Sequence, residues 1–227
     1  MNALKADLHT HSAEDPQDLV RYSATELIDM ACALGYSVLA ITNHNVVTFS
    51  AALREYARER GLVLIPGTEA TIEGRHVLLY NLDLARVDRS RIAKLQEIKD
   101  RTNLIMAPHP YFPSLSALQG MLKRHRSVFD AVELCHFYSQ RMDFNRRARR
   151  FAERHGLPLV GTSDAHQRSQ FHTTYSLIES EPEPEAVIEA VKANRVRVVT
   201  HPLPASQLFK INLKMAWRNQ IVRRFGR

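Results

Sequence analysis

The sequence predicts an α/β fold in one domain, its mainly parallel sheet either closed as a barrel or open and doubly wound. Three observations predict it. Short β-like runs alternate with helix-like stretches along the chain. No Pro/Gly/Ser-rich linker divides the 227 residues, a length within the range of one α/β barrel. Residues able to bind metal recur just past successive strands.

The elements follow in order. Residues 4–8 read as a first strand. Ser23-Ala24-Thr25-Glu26 is a capping box opening a helix that runs to about Leu34, with Gly35 as its stop. Residues 38–42 are a buried strand, residues 49–60 a helix ending at Gly61, and residues 62–65 a third strand. Residues 68–72 and 75–80 form a hairpin turning at Glu73-Gly74. Residues 88–99 read as a helix and residues 104–107 as a strand. A helix over 114–124 would be capped by Ser114. Residues 131–134 are a strand. Phe144, Ala148, Phe151 and Ala152 fall at helical spacing, which predicts a helix over 139–155 with Gly156 as its stop. Residues 159–161 and 174–178 are strands, 184–193 a helix and 196–200 the last strand. Residues 1–204 are expected to form the barrel. The basic tail, 205–227, carries Trp217 and Phe225 and is expected to form a helix packed on it.

Composition narrows the function. The hydrophobic fraction of 44% supports a sizeable core, and no apolar run approaches the roughly 18 residues of a membrane span. Residues 1–12 lack the regions of a signal peptide, so a cytoplasmic protein with no membrane partner is expected. Cys32 and Cys135 are isolated and read as reduced core residues, which argues against a cysteine-rich structural zinc site. The formal charge of +7 favours anionic partners, without choosing between phosphorylated small molecules and nucleic acid.

Six strand ends carry ligand-type groups. They are Asp7-Leu8-His9-Thr10-His11, Thr42-Asn43-His44, Gly67-Thr68-Glu69, His109-Pro110, Glu133-Leu134-Cys135-His136 and Thr162-Ser163-Asp164-Ala165-His166. In a parallel α/β barrel these ends face one mouth. Residues i and i+2 of an extended chain point to one side, so His9 with His11, and Asp164 with His166, can each reach one ion. A lone H-x-H, a single histidine after a strand, or a single Glu69 or Asp164 has ordinary structural explanations. Six of the eleven histidines falling just past strands do not. His76 lies within a strand, where a structural role competes with a substrate-facing one.

These motifs, with Ala40-Ile41-Thr42-Asn43-His44 and Pro66-Gly67-Thr68-Glu69, resemble the PHP (polymerase and histidinol phosphatase) family over residues 4–202, in the family's motif order. The resemblance implies a distorted (β/α)7 barrel with a centre of two or three divalent ions, and the mix of imidazoles and carboxylates suits zinc, manganese or iron. It implies that His9, His11, Glu69 and Asp164 hold one ion. Glu69 would bridge to a second, held also by His109 and His136. His44 and His166 would hold a third with Asp15 or Asp18. The Glu14-Asp15-Pro16 segment departs from the family's commoner pattern, and Asn43 stands where the family usually has Asp.

The function implied is hydrolysis of a phosphate ester, of a small phosphorylated metabolite or nucleotide, by a metal-activated water. Asp164, Glu69 and His166 are the expected catalytic residues. Arg21, His76, Arg168 and His201 are candidates to hold substrate. Arg141, Arg146, Arg147, Arg149, Arg150 and Arg154 motivate a less favoured alternative, a nuclease or nucleic-acid end-processing enzyme, against the plainer reading of a solvated helix face. A non-catalytic metal-binding barrel is the second alternative. Substrate identity and oligomeric state are not readable.

Overall fold

The computed structural model describes residues 3–204 together with Ser206, Leu208 and Ile211. Nine strands form one sheet: β1 (Ala3–Thr10), β2 (Val38–Ile41), β3 (Val63–Ile72), β4 (Arg75–Tyr80), β5 (Leu104–Ala107), β6 (Ala131–Cys135), β7 (Leu159–Thr162), β8 (Thr174–Glu179) and β9 (Val196–Thr200). Their order is β7-β6-β5-β4-β3-β2-β1-β8-β9. Up to residue 204 the α-helices among the described residues are α1 (Ala24–Ala33), α2 (Ala51–Arg58), α3 (Gly120–Arg124), α4 (Asn145–His155) and α5 (Pro184–Lys192).

The sheet is less parallel than the sequence predicts. β1–β2, β2–β3, β5–β6 and β6–β7 pair parallel. β3–β4, β4–β5, β1–β8 and β8–β9 pair antiparallel. The hairpin explains the first reversal: Glu73 (φ 51°) and Gly74 (φ 71°) make a turn whose two left-handed residues suit the strand twist. The sheet nearly closes into a barrel. Gly161 of β7 donates its amide to Ser176 Oγ of β8 at 2.9 Å, and that hydroxyl donates back to Gly161 O at 3.0 Å. A Cβ on Gly161 would lie 2.6 Å from Val198 Cγ1 and 2.9 Å from Tyr175 O, so only glycine permits this approach.

Period-two alternation sorts the strand residues. Ala6, Leu8, Val38, Ala40, Leu78, Met106 and Val160 form the inner cluster, into which α5 packs Val187, Ile188 and Val191. Lys192 at the end of α5 reaches Asp100 O and Asp130, which precede β5 and β6, so α5 covers the N-terminal strand ends. Leu39, Ile41 and Leu64 face outward under α1 and α2. Val77, Leu79, Ile105 and Val132 face outward under α3 and α4. The opposite, C-terminal mouth is left to polar side chains.

Three expected helices are shorter than predicted. Over 88–99 only a 3-10 turn, Ile92–Glu97, forms; Asp88 accepts the amide of Ser90 instead, a local bond that competes with helix. Ser114 accepts from Ser116 rather than capping, Gln119 has φ 50°, and the helix starts at Gly120. α4 starts at Asn145, whose side chain bridges Cys135 N and O and ties the helix to β6. The Ser23 capping box forms as expected, and Gly156 closes α4 in the left-handed conformation. Cys32 is half-exposed rather than core, while Cys135 is buried. Of the tail, Leu208 and Ile211 are buried beside Leu203 and Phe137; Trp217, Phe225 and the remaining expectation of a packed helix lie outside the described residues. Among the described residues no helix is long and apolar enough to cross a membrane.

Candidate metal centre

The histidines and carboxylates of six strand ends converge at the mouth. Glu69 is central. Its Oε2 lies 3.1 Å from His44 Nε2, 3.4 Å from His9 Nε2 and 3.5 Å from His11 Nε2. Its Oε1 lies 2.7 Å from His76 Nδ1 and 3.0 Å from His109 Nε2. Asp164 Oδ1 is 3.4 Å from both His9 Nε2 and His11 Nε2. His166 Nε2 lies 2.8 Å from Asp18 Oδ2. Three groups have ligand atoms close enough to share an ion: His9, His11 and Asp164; His11, His44 and Glu69; Glu69, His76 and His109.

Local structure aims these groups. Glu69 and His76 meet diagonally across the hairpin: Glu69 lies two residues before Thr71, the direct partner of His76, a diagonal within side-chain reach. Asp164 (φ 45°) and His109 (φ 26°) adopt left-handed backbone, which costs about 1–3 kcal/mol each. Neighbouring bonds hold both. His11 N and Tyr22 Oη donate to Ala165 O, and His109 N donates to Glu133 Oε2.

A ring of buried acids lies behind the imidazoles. Glu133 Oε1 accepts from His9 Nδ1 at 2.6 Å and from Thr162 Oγ1. Asp15 Oδ2 accepts from His11 Nδ1, His44 N and His44 Nδ1, each at 2.9 Å, and Asp15 Oδ1 accepts from Gln17 N and Asp18 N. Asp7 Oδ1 accepts from His9 N and Ser163 N; burial pushes its carboxyl up to about 7. Glu133 stands in one of the strand ends named from the sequence but is given no role there, although a carboxylate inside the apolar run Ala131–Cys135 is a readable signal.

This arrangement fits metal ions. With Nδ1 of His9, His11 and His44 committed as donors, a neutral ring turns its Nε2 lone pair inward. Two such atoms, His9 Nε2 and His11 Nε2, lie 3.2 Å apart, beside two carboxylates. Among the described residues no lysine or arginine lines the cavity, which leaves protons or cations to relieve this crowding. Protons do so in part. Burial disfavours a charged His44, yet its bonds to Asp15 and Glu69 raise it to about 10. Burial likewise opposes charge on His9, but Asp164, Glu133 and Glu69 raise it. His109 and His166 are raised against burial by Glu69 and by Asp18 respectively. Glu69 and Asp164 are held low by the surrounding imidazoles despite burial. His11 is lowered by burial and by His166.

The cavity over this cluster has a volume of about 170 Å³ and is lined by Asp18, His44, Glu69, His76, His109, Asp164 and His166 on one side. Phe112, Ser114, Ser116, Cys135, His136, Phe137 and Gln170 line the other. His136 stands apart from the three ligand groups. Its Nε2 lies 3.3 Å from Gln170 Nε2, and burial lowers it to about 4. Arg21, Arg168 and His201 are exposed and do not line the cavity; Arg168 is bound to Glu26 at 3.0 Å. Asn43 accepts from Ser12 N and donates to Ser12 Oγ and Thr48 Oγ1, so it braces two mouth loops.

Comparisons with known proteins agree with this picture. Residues 143–196 match the PHP-associated family model. An uncharacterized protein of Methanocaldococcus jannaschii is 29% identical over 133 residues, 51% of this chain and 72% of that protein. A 5'-3' exoribonuclease of Haemophilus influenzae is 34% identical over 97 residues, 42% of this chain, which spans only 34% of that enzyme. A two-domain protein of Bacteroides vulgatus, containing a predicted PHP-like metal-dependent phosphoesterase, superposes with a TM-score of 0.68 at 19% identity, over 92% of this chain and 68% of that one. The lesion-specific endonuclease PfuEndoQ of Pyrococcus furiosus superposes with a TM-score of 0.58 at 15% identity, over 86% of this chain and 57% of that one. The fold is that of PHP-like structures, a nearly closed mixed α/β barrel.

Proposed function

We propose that this chain hydrolyses a phosphate ester at a centre of two or three divalent cations. One observation carries the reading: the two oxygens of Glu69 face separate imidazole sets, His9, His11 and His44 on one side, His76 and His109 on the other. A carboxylate so placed can bridge two ions. His9, His11 and Asp164 complete the first position, and His76 with His109 the second. His44, His166 and Asp18 supply donors for a third. The family pattern places His136 at the second position; here His76 is nearer Glu69, and His136 is left on the cavity wall. Mixed imidazole and carboxylate donors suit zinc, manganese or iron.

Bound cations would supply a nucleophilic hydroxide near neutral pH and offset charge on the phosphoryl oxygens. The protein's part is to orient and to move protons. Glu133 and Asp15 fix the tautomers of His9, His11 and His44. Asp164, on the cavity wall, accepts a proton from the attacking water. In a two-ion centre His166, held by Asp18, donates one to the departing oxygen. Phe112 and Phe137 place apolar rings in the cavity lining, which lowers the local polarity and strengthens these interactions.

The test is a panel of phosphomonoesters, phosphodiesters and nucleotides on protein reconstituted with each metal separately. Turnover should require metal, and Glu69→Gln should lower it by more than about 100-fold, beyond the loss typical of an outer partner. No hydrolysis of any ester by metal-loaded protein overturns the reading. Within it, a small phosphorylated substrate and a nucleic acid are both open. The likeness to the exoribonuclease favours including oligonucleotides in the panel.

A further inference from the structure

Beside the cavity, the start of α4 and the loop after β5 bring arginines and aromatic rings together. The Arg147 guanidinium lies 4.4 Å from the centroid of the Tyr111 ring. Tyr111 precedes Phe112, which lines the cavity and meets Phe137 and Phe144 edge-on, with centroids 5.5 Å apart in each case. Phe144 leads directly into α4. Arg146 and Arg147 occupy the helix's first turn, which holds no acidic residue, and Arg150 follows one turn on. All three are exposed. Arg146 Nε lies 3.9 Å from Asp143 Oδ2, a long contact that leaves the guanidinium available. Two large apolar side chains flank the same lip in the open: Leu115 is 91% exposed and Met142 42% exposed.

We propose that this surface is a docking track for single-stranded nucleic acid. Arg146, Arg147 and Arg150 would take backbone phosphates, and Tyr111 and Phe112 would stack the bases nearest the cavity. The proposal rests on the phosphoesterase reading and names the substrate class of that site. A merely solvated helix face would present arginines alone. Here Arg147 lies over Tyr111, and the next residue, Phe112, lines the cavity above the candidate centre; charge beside π-faces suits a single strand. An acidic protein would use the arginines and leave the rings without a partner. A duplex keeps its bases stacked on one another and away from Tyr111.

The experiment compares wild-type protein with the triple variant Arg146→Gln/Arg147→Gln/Arg150→Gln and with Tyr111→Ala. Binding of a labelled single strand of about 12 nucleotides, a matching duplex and polyglutamate is followed by anisotropy on metal-free protein. Salt is varied from roughly 50 to 200 mM. Turnover of a small aromatic phosphate ester by metal-loaded protein is read in parallel. We expect the triple variant to lose roughly tenfold or more in single-strand affinity at low salt. Its log-log salt slope should fall by about 2, the value for three lost phosphate contacts, with small-ester turnover unchanged. Tyr111→Ala should weaken binding without changing the slope. Unchanged affinity in the triple variant, absence of wild-type binding at low salt, or equal binding of duplex or polyglutamate overturns the track. Absence of hydrolysis of every ester in the panel, oligonucleotides included, with strand binding intact overturns the hydrolase reading alone.

Discussion

Glu133 holds His9 from beneath: its Oε1 accepts from Nδ1 at 2.6 Å, so the other ring nitrogen, Nε2, turns to Glu69 and Asp164. Both residues are fully buried, and the second Glu133 oxygen receives the amide of His109. One carboxylate therefore positions two candidate ligands from different strands. Glu133→Gln keeps the shape but loses the charge that fixes the His9 tautomer. Metal affinity should fall about 10–100-fold, measured by competition with a chromogenic chelator, while circular dichroism stays native. Unchanged affinity would remove this role from Glu133.

Asp15 and Asp18 should separate by phenotype. Asp15 has both oxygens engaged, by the two histidines and by three backbone amides, and burial does not prevent these bonds from holding its carboxyl far below the ordinary range. Asp15→Asn should cost roughly 2–3 kcal/mol of stability, the scale of a charged buried hydrogen bond, seen as a lower urea midpoint. Asp18 lines the cavity and faces His166. Asp18→Asn should leave the urea midpoint near wild type and reduce the bound metal by one ion, as counted by elemental analysis. The opposite pattern would exchange their roles.

Metal uptake should release protons. His44 titrates near 10 in the metal-free protein, above the unfolded value of about 6.5, and His9, His109 and His166 are raised too. At neutral pH an incoming cation must displace these protons, so apparent affinity rises with pH. The linked stability has the matching sign. The His44 contribution to the metal-free fold is complete below about pH 6.5 and is lost as pH rises towards 10. Calorimetric titration in buffers of different ionisation enthalpy should show at least one proton released per protein. A buffer-independent heat would contradict the raised protonation of His44, His9, His109 and His166.

Much of the centre was legible because strand periodicity is local. His9 and His11, or Asp164 and His166, share a side by spacing alone, and the barrel rule brings their strands to one mouth. What lay hidden depended on cross-strand register or on side-chain competition. His76 meets Glu69 only because the Glu73-Gly74 hairpin pairs Thr71 with His76; a register one residue different would turn it to the other face. The sequence leaves Asp15 or Asp18 open; the amides of Gln17 and Asp18 engage Asp15 Oδ1, while Asp18 faces His166. The helix expected over 88–99 failed for a similar reason, since the Asp88 side chain offered the backbone a turn that periodicity does not register.

Closure of the barrel can be tested away from the centre. β7 approaches β8 and β9 at Gly161, where a methyl group would meet Val198 Cγ1 at 2.6 Å, Tyr175 O at 2.9 Å and Thr174 Cγ2 at 3.2 Å. Gly161→Ala should cost about 1–3 kcal/mol by overpacking, and for a chain of this size lower Tm on the order of 5 °C. Trimming Val198 to Ala in the same chain should recover only part of the loss. The side-chain clash then disappears, but the carbonyl of Tyr175 belongs to a strand held by β1 and β9 on either side and cannot withdraw. Full recovery in the double variant would mean that β7 can shift away from β8, and that the Ser176 bonds to Gly161 do not hold the barrel closed.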